Sequence, residues 1–394
     1  MSLFSGWKGW LKFKKLPWDW RNIVIYSETG QDWHQFSGLI RELNENFGRK
    51  TCYVSSDAGD PGLKREHDNF RAIYIPEGLF QTIFFQVNQS DLLVLTMMDL
   101  DNLQLKRSLQ PVHYVYLFHS MGSTHMVDHA NSFDHYESLF CAGPHQVAEI
   151  RRREELKGLP AKHIFDYGHP RLEELIAQGR ACKMPTPATD RAIVLIAPTW
   201  GDDSIFNRCG QELIDVLLQA DFHVIMRPHY QSNRLTPAVI AGLRERFLGQ
   251  ANFEYIDRMG ETDSILRSDI LICDWSAMAM EYAMGLEKPV LFIDVPRRIR
   301  NPDWQELGIE PFESSIREQV GEVLDPSALD QAPAVIDRLL ASPERFRGQV
   351  RQLREKSVFR LGHSIPDGAA EIARLADECL QARQERELRD QAND

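Results

Sequence analysis

The chain has 394 residues, 43% of them hydrophobic and 26% charged, enough for two or three domains with cores of their own and the mix of an ordinary globular protein. No apolar run approaches the roughly 20 residues of a membrane span. Its 45 Lys and Arg against 57 Asp and Glu give a net charge of −12, the wrong sign for gripping nucleic acid by its phosphates, while small phosphorylated ligands need only a local positive pocket.

Six cysteines, Cys52, Cys141, Cys182, Cys209, Cys273 and Cys379, are scattered without a C-x-x-C pair. That pattern reads as reduced thiols of a cytosolic protein, not a disulfide framework or a zinc site.

Residues 1–20 depart from the acidic balance. Lys8, Lys12, Lys14 and Lys15 stand there against Asp19, among Trp7, Trp10, Trp18 and Trp20. A helix over 2–15 puts Lys8, Lys12 and Lys15 on one face with Leu3, Trp7 and Trp10 roughly opposite, until Pro17 ends it. This is the composition of an interfacial anchor, lysines on anionic headgroups and indoles at the boundary; the alternative is an arm that is disordered or packed on the core. No apolar h-region with a small-residue cleavage site follows, so no secretory signal is expected.

From residue 21 short apolar runs alternate with amphipathic stretches, the sign of a parallel α/β sheet. Strands are expected at 22–26, 51–55, 72–75, 92–96, 112–118, 138–141 and 163–166, with helical stretches at 31–47, 78–89, 145–157 and 171–180. Residues 181–190, with Pro185 and Pro187, read as a linker. The alternation resumes with strands at 192–197, 222–227, 253–256, 269–273 and 289–293 and helices at 210–220, 236–248, 262–268 and 276–285. Helices are expected over 346–380 and a frayed tail over 382–394. The expected division is an arm at 1–20, a Rossmann-like acceptor domain at 21–183, a Rossmann-like donor domain at 190–345, and C-terminal helices and tail at 346–394. The fold class is α/β, two doubly wound domains facing across a cleft, with ligands outside the carboxyl ends of the strands.

The residues that end the strands carry the chemistry. His119 and Ser120 follow a strongly apolar strand; an imidazole there is mostly neutral near pH 7 and suits a general base, unless it merely bonds a loop backbone. Arg227-Pro228-His229 offers a guanidinium fork and an imidazole to a diphosphate, with a surface salt bridge as the alternative. Asp274-Trp275-Ser276 opens a helix whose start suits an anion, and Glu281 lies where a carboxylate reaches a ribose; a plain cap and a solvated residue are the alternatives. His125 and His129 are four apart but lack the glutamate of H-E-x-x-H, so no metal is expected from them. Asp99-Leu100-Asp101 matches a metal-binding D-x-D, and equally a strand-to-helix loop. G-x-x-x-x-G-K-[ST], G-x-G-x-x-G and G-x-S-x-G are all missing, which counts against P-loop enzymes, dinucleotide dehydrogenases and serine hydrolases.

In order and spacing, several segments resemble the CDP-glycerol glycerophosphotransferase family, the enzymes of teichoic acid polymerisation. They are Phe118-His119-Ser120, the stretch 133–144, Gly168-His169-Pro170-Arg171, Ala197 to Trp200, Arg227 to His229, 268–276 continuing through Glu281 to Lys288-Pro289, and Asp367-Gly368. The resemblance runs from about 110 to 375 and implies a two-domain glycosyltransferase-B fold, with His119 in the place of the catalytic base and His229 and Ser276 where donor phosphates are held. Two positions depart from the pattern: Ser120 replaces the glycine after the base, and Asp274-Trp275-Ser276-Ala277 stands for Asp-Tyr-Ser-Ser.

The expected activity is transfer of a phosphoalcohol group from a CDP-activated donor to a hydroxyl of a cell-surface glycan or lipid-linked acceptor. His119 and His229 are the catalytic candidates, and Arg227, Ser276, Thr199, Asp274 and Glu281 line the donor side. No metal, no cofactor and no nucleic-acid partner is expected. The expected location is cytoplasmic, peripheral on the inner face of the membrane through residues 1–20. The alternatives are a nucleotide-sugar glycosyltransferase for lipopolysaccharide or capsule, a UDP-sugar epimerase, and a scaffold that has lost its site.

Overall fold

The computed structural model describes residues 3–102, 105–181, 191–257 and 262–393. The chain forms two compact units, one of residues 1–120, 128–170 and 358–394 and one of residues 121–127 and 171–357. The sequence division into contiguous blocks does not anticipate these crossings. Most of the expected linker, 182–190, lies outside the described residues.

The first unit is built on a seven-stranded parallel sheet of order β3-β2-β1-β4-β5-β6-β7. Its strands are β1 (Ile23–Ser27), β2 (Thr51–Ser55), β3 (Phe70–Tyr74), β4 (Leu92–Leu95), β5 (His113–Leu117), β6 (Ser138–Cys141) and β7 (His163–Asp166). The central strands are apolar nearly throughout because both faces are covered. Along β1, Val24 and Tyr26 enter a core with Val54, Phe84 and Tyr116. Ile23 and Ile25 enter the opposite core with Phe36, Leu39, Ile372 and Ala373, as the two-residue strand period requires.

The N-terminal helix, Leu3–Lys14, packs on the first unit, the arrangement of the alternative reading in which the arm lies on the core. Gly6, Gly9 and Phe13 are buried while Trp7 and Lys8 face solvent. A side chain at Gly9 would meet the Tyr74 carbonyl at 2.1 Å, and Lys12 Nζ donates to the Ala72 carbonyl at 3.1 Å. The close approach permitted by glycine sets the buried side together with Phe13 and partly buried Trp10, while Trp7 of the same stripe stays outside.

The expected frayed tail is also corrected, since one helix runs over Ser364–Asn393. Its far half is anchored where Arg383 pairs with buried Asp91 at 2.8 Å and lies 4.2 Å over Trp18. Arg383–Glu387 and Arg389–Glu385 pairs one turn apart support the rest.

The second unit carries a six-stranded parallel sheet of order β10-β9-β8-β11-β12-β13. The strands are β8 (Ile193–Ile196), β9 (His223–Met226), β10 (Phe253–Tyr255), β11 (Ile270–Cys273), β12 (Val290–Ile293) and β13 (Gly321–Leu324). β13 is absent from the sequence expectation: Gly-Glu-Val-Leu is a short edge segment with little apolar pattern. In each sheet the order reverses beside the first strand, between β1 and β4 and between β8 and β11, and a doubly wound sheet binds ligands outside the carboxyl ends at that point. No helix among the described residues is long and apolar enough to cross a membrane.

Candidate functional site

Strand β8 is flanked by β9 and β11, so the loops after these three strands are neighbours on one sheet edge. β8 runs into Thr199 and Trp200, β9 into Arg227-Pro228-His229, and β11 into Asp274-Trp275-Ser276. Five of the expected donor-side residues, Thr199, Arg227, His229, Asp274 and Ser276, are thereby brought together within the second unit.

His229 caps the helix Tyr230–Leu235, its Nδ1 accepting from the Gln231 N–H at 3.2 Å. With Nδ1 used as an acceptor, the proton of the neutral ring resides on Nε2, which is then a donor. Burial, and secondarily the charge of Arg298, push its pKa down to about 4. The ring centroid lies 4.7 Å from that of Tyr230 and 6.2 Å from that of Trp200. The guanidinium of Arg298 sits 3.4 Å over the Trp200 ring. The site thus offers a neutral N–H donor next to a fixed cation. Arg227 extends the strand pairing, its N–H donating to the Ile196 carbonyl at 3.0 Å, and its side chain is half-buried.

Asp274 differs from its expected place on the phosphate surface. It is 1% exposed; one carboxylate oxygen accepts from the Thr199 N–H at 2.7 Å and the other from the Ile205 N–H at 3.4 Å. Burial raises its pKa to about 6 against the opposing backbone donors. A carboxylate held by amides of its own unit shapes the 199–205 loop. It would also repel a phosphate.

Ser276 Oγ accepts from the Met278 N–H at 3.3 Å, and the helix is Met278–Leu286, starting two residues later than expected. Trp275, the departure from the family pattern, donates from Nε1 to the Val295 carbonyl at 2.8 Å. Glu281 is buried, with Oε2 on Arg171 Nε at 2.8 Å, and that carboxylate raises the pKa of Arg171.

His119 follows β5 of the first unit and is half-buried, 6.4 Å from Tyr116 between ring centroids. Its loop is tied down where Gln146 Nε2 donates to the Ser120 carbonyl at 2.9 Å and Gln146 Oε1 accepts from the Ala142 N–H at 2.8 Å. After the adjacent β4, Asp99 and Asp101 adopt left-handed backbone, φ 65 and 64. Asp99 accepts from Ser132 Oγ at 2.7 Å and pairs with His129 Nδ1 at 2.9 Å, whereas His125 Nε2 pairs with the Ile309 carbonyl at 3.1 Å. The histidines of the H-x-x-x-H spacing therefore serve different partners. No group of three or more His, Cys, Asp or Glu able to hold a metal occurs among the described residues.

Three residues beside these groups had no role in the sequence reading: Arg171 and Trp200, which stand in the resembling segments, and Arg298. The basic run Arg297-Arg298-Ile299-Arg300, separated from β12 by Asp294-Val295-Pro296, was the available signal for the last.

Residues 130–296 match the family described as CDP-glycerol:poly(glycerophosphate) glycerophosphotransferase. A teichoic acid poly(glycerol phosphate) polymerase of Bacillus spizizenii is 26% identical over 147 residues, 33% of this chain and 35% of that polymerase. The match thus spans about a third of the relative's own length. Among solved structures, the wall teichoic acid polymerase TagF aligns at TM-score 0.54 and 13% identity, over 96% of this chain and 100% of that one. A UDP-GlcNAc 2-epimerase of Methanocaldococcus jannaschii aligns at 0.54 and 12%, over 84% and 98%. A glycosyltransferase from Rickettsia africae aligns at 0.53 and 11%, over 90% and 98%. At these identities the likenesses bear on fold alone, and with the two parallel sheets they give the expected glycosyltransferase-B type. The matched stretch includes Arg227, His229, Ser276 and Glu281, with His119 just before it, and over residues 130–296 the chain is similar to the CDP-glycerol glycerophosphotransferase family.

Proposed function

We propose that this protein transfers a phosphoalcohol group from a CDP-activated, CDP-glycerol-like donor to a hydroxyl of a cell-surface glycan or lipid-linked acceptor. The observation that carries this reading is the family match over 130–296, which spans the donor edge of the second sheet. There Arg227, the Nε2–H of His229, the Ser276 hydroxyl and the start of the Met278–Leu286 helix take the donor's phosphate oxygens. Thr199 adds a hydroxyl, Glu281, held by Arg171, meets the ribose, and Asp274 acts at one remove by shaping the loop.

His119 removes the acceptor hydroxyl proton as that oxygen attacks the phosphorus bearing the alcohol. The new P–O bond forms as the bond to the nucleotide phosphate breaks, and CMP leaves with its charge stabilised by the same fixed donors. No metal enters this scheme. The reaction takes place in the cytoplasm at the inner membrane face, with exposed Trp7 and Lys8 as the contact.

Trp275 in place of tyrosine, and Ser120 in place of glycine, favour one second reading, a glycosyltransferase using a nucleotide sugar. A donor screen separates the two. CDP-glycerol or CDP-ribitol should raise the melting temperature by mass action and release CMP when membranes supply acceptor. Stabilisation and turnover by UDP- or CMP-sugars alone would refute the phosphoalcohol reading.

A further inference from the structure

We infer that the second unit carries an additional binding pocket, built on Arg317, for a compact oxyanion whose remainder bears an ammonium or hydroxyl group. Strand β12 runs into Asp294-Val295-Pro296-Arg297, and the short helices Phe312–Ser315 and Arg317–Val320 lead into β13. These segments line a cavity of about 620 Å3, a volume in the range of small-molecule sites.

Arg317 is 6% exposed. Its guanidinium lies 4.1 Å over the Trp275 ring and 5.0 Å over Phe292, and Nη1 donates to Asp294 Oδ1 at 2.7 Å. Nε and Nη2 are buried and have no hydrogen-bond partner among the described residues, and the buried Oγ of Ser314 has none either. Leaving buried donors unmade is costly, because each has given up water without a replacement partner. A methionine would cover Trp275 without that cost. Arg317 and Ser314 both line the cavity, so a guest that enters it lies against the two side chains whose buried donors are unmet.

The donor set selects the guest. Two guanidiniums, those of Arg317 and Arg297, and one hydroxyl form the usual receptor for a phosphomonoester or carboxylate. Arg297 lines the same cavity 4.9 Å from the Trp275 ring. The carboxylates that also line it lie outward: Asp294 is half spent on Arg317, and Glu310 and Glu318 are exposed. They disfavour a polyanion and favour a tail carrying an ammonium or hydroxyl, as in phosphoethanolamine. Trp275 adjoins Ser276, and the pocket does not depend on the donor reading.

Calorimetry on the full chain, with CMP saturating the nucleotide edge, tests the assignment with phosphoethanolamine, glycerol 3-phosphate and inorganic phosphate. Phosphoethanolamine should bind saturably and more tightly than inorganic phosphate. Arg317→Gln should weaken it about ten- to a hundredfold and Ser314→Ala about fivefold, the loss of charged and neutral hydrogen bonds respectively. Should Arg317→Gln fail to fold, Ser314→Ala and Arg297→Gln, each at unchanged melting temperature, decide. No saturable binding of any probe, binding abolished by CMP, or binding unchanged in both wall variants overturns the pocket. Inorganic phosphate binding as tightly as phosphoethanolamine overturns the ligand class.

Discussion

The charge state of His229 is the most direct electrostatic test of the donor edge. A native pKa of about 4 against about 6.5 in an unfolded chain means that acidification protonates the unfolded imidazole first. The native state resists that proton, so stability is full above pH 6.5 and is lost as pH falls toward 4. Between pH 7 and 4.5 the loss from this one ring is about 2 kcal/mol. His229→Asn keeps an acceptor for the Gln231 N–H and removes the titrating group. Denaturant titrations of wild type and variant should therefore diverge by about 2 kcal/mol over that interval, and the variant should be the less acid-sensitive. A histidine NMR titration, assigned by the resonance missing from His229→Asn, should place the midpoint well below 6. Parallel stability profiles, or a midpoint at or above 6.5, would refute a neutral Nε2–H donor. Asp274 works in the opposite sense. Its pKa, raised to about 6, means the native carboxyl takes up a proton before the unfolded one, so stability is gained as pH falls from 6 toward 3.8. The two effects offset each other in wild type, which is why the comparison must be made between variants.

His119→Ala should lower turnover by about two to four orders of magnitude while nucleotide affinity, read by calorimetry, stays within about twofold; near-normal turnover removes it as the base. Asp274→Ala strands the Thr199 and Ile205 amides and should loosen the 199–205 loop, read as faster amide exchange there and weaker nucleotide binding, whereas unchanged exchange would deny the clamp. Deleting residues 1–20 would confuse membrane binding with lost packing, because Phe13 is 1% exposed. Trp7→Ser with Lys8→Glu leaves the buried face intact and should abolish sedimentation with anionic vesicles at unchanged melting temperature; undiminished sedimentation sinks the anchor.

Strand positions were legible from the chain alone because parallel strands covered on both faces appear as short apolar runs, and the ends of those runs put His119, Arg227, His229 and Ser276 on sheet edges. The same logic failed at β13, where Gly-Glu-Val-Leu on the sheet edge shows no such run. Nor did it choose between an anchor and a packed arm for the N-terminal helix, which lies on the first unit through Gly6, Gly9, Phe13 and part of Trp10. Sequence could mark Asp274 as important but not tell a loop clamp from a phosphate ligand, since Thr199 and Ile205 lie about seventy residues away. Nor could it foresee that residues 121–127 group with the second unit, where the Ser123 N–H donates to Glu313 at 3.0 Å and Asn301 Nδ2 to the His125 carbonyl at 2.8 Å. The chain by itself thus determined all the strands but β13 and which side chains stand at their ends, because these follow from local periodicity. Tertiary structure alone decided which of those side chains face inward, which imidazole nitrogen donates, and which arginines are buried, because each depends on partners far away along the chain and on the water that burial removes.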